Sequence, residues 1–336
     1  MGALILDRGG IELKAEQGAI IVYEKGRRLR TVPLALIERV IAHADVTLSS
    51  GLLGLMAEYG VGFLALNRRG SRLALMLGRP LGDARLRLAQ CRMAQDEAWR
   101  SQWCGRLLRA KVHGQWRTLA YARRLRPDLP GLLPAQEALA ASLGQWPAPD
   151  VILPLASWNG WEGAAAAIYF RAYTQLFAPE LNFFKRNRRP PRDPVNAVLS
   201  LGYTLLHAEA AQLAHAAGFD PLVGMLHQPA PGRDSLASDL MEPLRPRLDL
   251  WVWQLFRSRR LRPESFGLQN GACLLGKAGR RAFYEAWEFA LPDWRRGLNA
   301  CCRMLKASLR TQLAAAPELL PWDQDAEIPC AGDPEA

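Results

Sequence analysis

The chain has 336 residues, 49 % of them hydrophobic, enough apolar material for two ordinary domains. No apolar run approaches the roughly 18–20 residues that span a bilayer, and Met1 to Arg8 lacks the regions of a secretory signal, so a soluble, cytoplasmic protein is expected. The last 19 residues hold six acids and no Lys or Arg; on residues 1–317, 43 basic side chains face 26 acidic ones, and a balance of +17 attracts polyanions such as nucleic acid by counterion release.

Residues 1–82 read as a β-rich domain. Ile11-Glu12-Leu13-Lys14-Ala15 alternates, Ala19 to Tyr23 is a short apolar run, and Gly26 supplies a turn. Val40 to Ala42, Val46 to Leu48, Val61 to Leu66 and Leu73 to Leu77 continue the pattern, and Asn67-Arg68-Arg69-Gly70 turns between the last two. One helix interrupts them: Ser49 or Ser50 caps it, Leu52, Leu53, Leu55 and Met56 form its apolar face, and Gly60 ends it.

From Asp83 the period becomes helical, so residues 83–317 are expected to be an α-helical domain and the whole an α+β protein. Ala84 to Leu125 is a long Arg-rich stretch with possible breaks at Gly105 or Gly114, and Trp99 and Trp103 share one face of it. Residues 127–154 are Pro- and Gly-rich loops around a short helix, Ala135 to Leu143. Trp158 to Phe177 is an Ala-rich helix, Leu181 to Asp193 a basic loop, and Val195 to Ala217 an apolar helix ended by Gly218. Ser235 to Leu261 is helical with breaks at Pro243 and Pro246; Ala278 to Leu291 and Trp294 to Ala316 are the last two helices. The acidic tail, 318–336, has a disordered composition.

Little in the sequence suggests nucleotide or thiol chemistry. No GxxxxGK[ST] loop exists, no Ser, His and Asp are spaced as a triad, and six scattered cysteines form no CxxC pair. Three other places stand out. Glu162 begins the Ala-rich helix beside the small residues Gly163 to Ala167, although Asn159 and Glu162 also have capping-box spacing. His227 follows a helix end, where it could equally be a structural histidine. Asp239 and Glu242 are three apart on one helical face; their repulsion would be relieved by a divalent cation, or the face is simply solvated. Glu162, His227 and Glu242 make a mixed O/N ligand set that suits Mn²⁺ and admits Mg²⁺, ions that polarise phosphodiesters. The loop Lys185, Arg186, Arg188, Arg189 and Arg192, with Arg245 beyond Glu242, reads as a phosphate clamp or as solvated surface.

Many words of the chain, in order, resemble one family. They run from Val32-Pro33-Leu34 and Ile37-Glu38-Arg39-Val40 through Gly62-Phe63-Leu64-Ala65-Leu66 to Trp161-Glu162-Gly163-Ala164-Ala165. They continue with Arg189-Pro190-Pro191, Asp193-Pro194-Val195-Asn196-Ala197, Gly202-Tyr203-Thr204, Gly218-Phe219-Asp220-Pro221, Gly224-Met225-Leu226-His227 and Asp239-Leu240-Met241-Glu242. The family is the integrase subunit of the CRISPR adaptation complex. The resemblance implies a metal-dependent DNA endonuclease and integrase that inserts short DNA duplexes into a repeat array by 3′-hydroxyl attack. It implies metal ligands at Glu162, His227 and Glu242, with Asp239 as an auxiliary acid. It further implies homodimerisation through the N-terminal domain, double-stranded and branched DNA as substrates, and a small ferredoxin-like partner, CRISPR-associated protein two. The alternative is a branched-DNA nuclease of repair, without that partner. Trp158, Trp161 and Pro243 depart from the family's commoner residues, and the acidic tail lies outside the resemblance.

Overall fold

The computed structural model describes residues 2–66, 73–76, 84–148, 151–187 and 190–315. The turn Asn67 to Gly70, Leu77, the boundary residue Asp83, Arg188, Arg189 and the acidic tail lie outside the described residues.

The N-terminal part is built from two four-stranded sheets. One has the order β1 (Gly2–Leu6), β5 (Ile37–Ala42), β7 (Gly62–Leu66), β8 (Leu73–Met76), with the first three parallel and β8 antiparallel to β7. The other has the order β4 (Arg27–Pro33), β3 (Ala19–Glu24), β2 (Ile11–Glu16), β6 (Val46–Leu48). Because successive side chains in a strand face opposite ways, β2 buries Ile11 and Leu13. These meet Leu4, Leu6, Val40 and Ala42 of the first sheet and Leu52 and Met56 of α1 (Ser50–Glu58) in one core. Ser49 caps α1 through the Leu52 N–H and Gly60 follows it at φ +66°, as the pattern predicts. The alternate residues Ile41 and Leu64 join the core of the helical part instead, so the first sheet is buried on both faces.

That junction also carries charge. Arg39 on β5 is buried and contacts Glu209 on α6 (Pro194–Ala216) and Glu288 on α9 (Lys277–Ala315), the latter at 2.9 Å. Arg295 donates to Glu209 at 2.8 Å. A buried charge without a partner is costly, so the pairing ties the sheet to both helices.

The helical part is organised by α3 (Glu97–Leu125). The expected break at Gly105 or Gly114 falls instead at Asp96, whose side chain caps α3 by accepting from the Trp99 N–H at 2.8 Å, after α2 (Ala84–Met93) has ended. Both glycines sit inside α3 and serve close packing. A Cβ on Gly105 would lie 2.7 Å from the Trp158 indole of α5 (Leu155–Thr174), and one on Gly114 would lie 3.2 Å from Pro246 of α8 (Arg245–Arg257). Trp99 and Trp103 are buried and stacked at 5.8 Å, as core. The helix expected at Ala135 to Leu143 extends over α4 (Leu132–Gln145).

Two further expectations are corrected. α9 is one helix through Pro292, where two were expected; Trp287 and Trp294 stack across the proline at 6.1 Å and hold both halves in line against the lost hydrogen bond. Periodicity predicted no strand between α8 and α9, yet β9 (Phe266–Gln269) and β10 (Ala272–Leu275) form a hairpin. Asn270-Gly271, both at positive φ, is its turn, and this dipeptide was the available signal.

Gly105→Ala is expected to destabilise the protein by about 1–3 kcal/mol, the overpacking cost against Trp158. Gly160→Ala, where an added Cβ meets nothing within 4 Å, should stabilise by up to about 1 kcal/mol. Urea denaturation of the two variants reads opposite signs.

Candidate active site

Four segments converge on one place. α3 supplies Lys111 between its two close-packed glycines. α5 begins at Leu155 with Pro154 as its N-cap, so Asn159 and Glu162 lie inside the helix and form no capping box. The turn after α6 supplies His227. α7 (Ser235–Met241) passes into a single 3-10 turn, Glu242–Leu244, and Glu242 opens that turn just before Pro243.

Lys111 Nζ lies 2.6 Å from Glu162 Oε1 and 2.6 Å from Glu242 Oε2, bridging the two acids. Arg245 Nε donates to Glu242 Oε1 at 2.6 Å. Glu242 is 4 % exposed, and its Oε2 is a buried acceptor with no donor aligned on it in hydrogen-bond geometry. Burial alone would raise the Glu242 pKa; the Arg245 and Lys111 charges outweigh it and hold the carboxyl at about 2. Burial works against the Lys111 charge too, but Glu242 and Glu162 raise its pKa above the ordinary lysine value.

His227 faces the same place. Its Nε2 is 4.0 Å from Glu242 Oε1, and its Nδ1 is 2.7 Å from Asp239 Oδ1. A carboxylate at Nδ1 selects the tautomer with the proton there, leaving the Nε2 lone pair toward Glu242. Asp239 is fully buried and also accepts the N–H groups of Met225 at 2.6 Å and of Leu226 and His227, each at 2.9 Å. The pairing of Asp239 with Glu242 expected from their spacing is therefore not what the structure shows. Asp239 turns to the His227 turn, where four donors satisfy it, and orients the imidazole. The turn needs Gly224: a Cβ there would lie 2.6 Å from the His227 carbonyl oxygen and 2.8 Å from Ser235.

Behind Arg245 stands a buried network that spacing did not reveal. The Arg245 guanidinium stacks 4.9 Å above the Tyr203 ring, and the Tyr203 hydroxyl donates to the Asp249 carboxylate. Tyr169 donates to the same carboxylate at 3.1 Å, and Tyr173 donates to the Asp249 carbonyl at 2.8 Å. Burial pushes the Asp249 pKa up to about 6 despite the tyrosine donors.

The basic loop divides. Lys185 and Arg192 are exposed. Arg186 turns inward, donating to Asn196 Oδ1 at 2.6 Å and Ser200 Oγ at 3.2 Å and stacking 5.5 Å from Tyr203, so part of its expected phosphate role is replaced by anchoring the loop. The Pro191 carbonyl accepts the Cys273 N–H at 2.8 Å, tying the loop to β10. Among the described residues no three His, Cys, Asp or Glu side chains converge as metal ligands do; the Lys111 ammonium stands between the two carboxylates. Sequence reasoning missed Lys111, Tyr203 and Asp249. The one faint signal for Lys111 was a single lysine in a helix otherwise carrying six arginines.

A β-rich domain joined to a helical domain, with two carboxylates bridged by one ammonium and an imidazole 4.0 Å from one of them, defines the class. Residues 4–289 match the family model for CRISPR associated protein Cas1. A CRISPR-associated endonuclease Cas1 of Thermodesulfovibrio yellowstonii is 32 % identical over 292 residues, 86 % of this chain and 91 % of that protein. Among solved structures, a casposase bound to its integration product has a TM-score of 0.80 at 22 % identity, covering 93 % of this chain and 91 % of that one. The Cas1-containing chain of a Cas6-RT-Cas1–Cas2 complex has a TM-score of 0.77 at 22 % identity, covering 92 % of this chain and 35 % of that one. The chain belongs to the Cas1 family. No helix among the described residues is long and apolar enough to cross a membrane.

The Asp249 network has a pH signature. Its folded-state pKa lies above the ordinary carboxylate value, so the bound proton adds stability that is fully present below about pH 4 and lost as the pH rises through about 6. In Asp249→Asn, which cannot ionise, the fall in stability between pH 4 and 6 should shrink, as measured by denaturant unfolding across that range.

Proposed function

We propose that this chain is a metal-dependent DNA endonuclease and integrase that inserts short DNA duplexes into a CRISPR array. It is an enzyme of phosphodiester cleavage and strand transfer: a DNA 3′-hydroxyl attacks a phosphodiester, the new P–O bond forms, and the old ester oxygen leaves as a 3′-hydroxyl. The observation that carries the metal reading is the convergence of Glu162 and Glu242 on a single cation, with the free face of His227 beside it.

The residues fit a divalent cation. Glu162 and the buried Glu242 already share one positive charge, and the His227 Nε2 faces Glu242 at 4.0 Å. Glu162, His227 and Glu242 would hold Mn²⁺ or Mg²⁺, which when bound would polarise the phosphodiester. The chain's own contribution is orientation. Asp239 fixes the imidazole, Arg245 holds Glu242 ionised, and Tyr203 supports Arg245 from behind.

Double-stranded and branched DNA are the proposed substrates, gripped by Lys185 and Arg192 with Arg188 and Arg189 of the same loop. The working unit is a homodimer joined through the N-terminal domains, which leave Leu29 51 % and Leu36 61 % exposed; light scattering at micromolar concentration should read the mass of two chains. A small ferredoxin-like partner joins it, in keeping with the Cas2 named in the related Cas6-RT-Cas1–Cas2 complex, and the site of action is the cytoplasm.

Glu162→Ala, His227→Ala and Glu242→Ala should each lower strand transfer with Mn²⁺ by about 100-fold or more while leaving DNA binding near wild type, as loss of a transition-state stabiliser does. Lys185→Glu with Arg192→Glu should do the reverse, weakening binding and reducing the slope of log affinity against log salt by about 1 per lost phosphate contact. Near-normal strand transfer by Glu162→Ala would overturn the metal assignment. Full activity on branched DNA with no response to the partner would favour the repair nuclease.

A further inference from the structure

We infer that Lys111 is a tethered cation that holds Glu162 and Glu242 together in the metal-free protein and must leave its place between them for a divalent metal to bind. The inference rests on the metal reading above and adds a competitor to it.

The argument begins with burial. Glu242 is 4 % exposed, and a carboxylate so removed from water needs a nearby positive charge. Arg245 serves its Oε1; its Oε2 and the facing Glu162 Oε1 are both served by Lys111. Remove that ammonium with nothing in its place, and two carboxylates repel across a poorly solvated gap.

Distances then decide exclusivity. Lys111 Nζ lies 2.6 Å from each carboxylate oxygen. Mn²⁺ or Mg²⁺ would bind oxygens of the same acids at roughly 2.0–2.2 Å, a little closer than the ammonium now sits. The two cations would occupy nearly the same point, and like charges a few ångströms apart in a buried setting repel strongly. Only one can be there.

The protein's construction says which part moves. The backbone of Lys111 belongs to a 29-residue helix held by close packing at Gly105 on one side and Gly114 on the other. The four-carbon stem is the free part, and its rotatable bonds let the ammonium swing aside without moving α3. Swung aside, the ammonium leaves both carboxylate oxygens free for the metal, so Lys111 is a positioning residue of the metal-free protein.

Manganese binding to the full-length protein without DNA, followed by isothermal titration and by the electron paramagnetic resonance signal of free Mn²⁺, tests this with no turnover involved. Lys111→Met should bind Mn²⁺ about tenfold or more tighter than wild type, because the competent, lysine-free state no longer has to be selected. Lys111→Arg, which keeps a cation on the helix, should not gain in this way. Labelling of the wild-type protein with an amine-acylating reagent, read by peptide mass spectrometry, needs no variant to fold. Lys111 modification should rise with Mn²⁺ along the binding curve. Unchanged or weaker Mn²⁺ affinity in folded Lys111→Met, or Lys111 labelling indifferent to saturating Mn²⁺, overturns the inference. Glu162→Gln and Glu242→Gln separate it from the underlying reading. If both bind Mn²⁺ like wild type, the metal site itself is misplaced; if both lose binding while Lys111 proves irrelevant, only the competitor role fails.

Discussion

The structure depends on how closely α3 is approached by its neighbours. At Gly105 the Trp158 indole of α5 comes within what would be a forbidden distance for any side chain, and at Gly114 the ring of Pro246 does nearly the same from the other side. Those contacts set the separation of three helices in the region that also holds Glu162, Lys111 and Glu242. Trp158 is fixed further by its indole N–H, which donates to Ser101 Oγ at 2.9 Å, and the Pro246 carbonyl accepts from Thr118 Oγ1 at 3.0 Å. The acids meet because the backbones do. A larger residue at either glycine would separate the elements by a fraction of the distance that the Lys111 bridge spans, and phosphoryl chemistry tolerates little such displacement.

Around that packing, the interior handles charge by strict pairing. Glu242 is matched by Arg245 and Lys111, Asp239 by three backbone N–H groups and His227, and Arg39 by Glu209 and Glu288. Asp249 follows the other course. It lies among tyrosine hydroxyls with its cations more remote, and its pKa rises where that of Glu242 falls. Two buried carboxyls seven residues apart are thus driven in opposite directions by their surroundings, one toward easier and one toward harder ionisation.

The two domains are joined by the same logic of double use. The alternation of β5 sends Val40 and Ala42 into the N-terminal core and Ile41 into the helical core, while Arg39 reaches α6 and α9. The N-terminal sheet is therefore part of the support beneath the helical domain.

Read alone, the sequence determined the alternation of strands before Asp83 and the helical period after it, because period and caps such as Ser49 are local chemistry. Glu162, His227 and Glu242 stood out through ordered words that resemble a family, since each of them taken alone also had an ordinary structural reading. Tertiary structure decided the rest. The two α3 glycines read as breaks because a glycine lowers helix propensity locally, and only the indole and proline rings facing them reveal close approach instead. Pro292 read as a helix end because its lost hydrogen bond is local, while the tryptophan stack that compensates is not. Asp239 and Glu242 share a spacing but not a task, since a backbone turn from fourteen residues upstream folds back to claim Asp239. Lys111, far from Glu242 in the chain, carried only the faint signal of a lone lysine in an Arg-rich helix: what makes it part of the site is the charge of two acids on other elements, and only folding brings those charges to it.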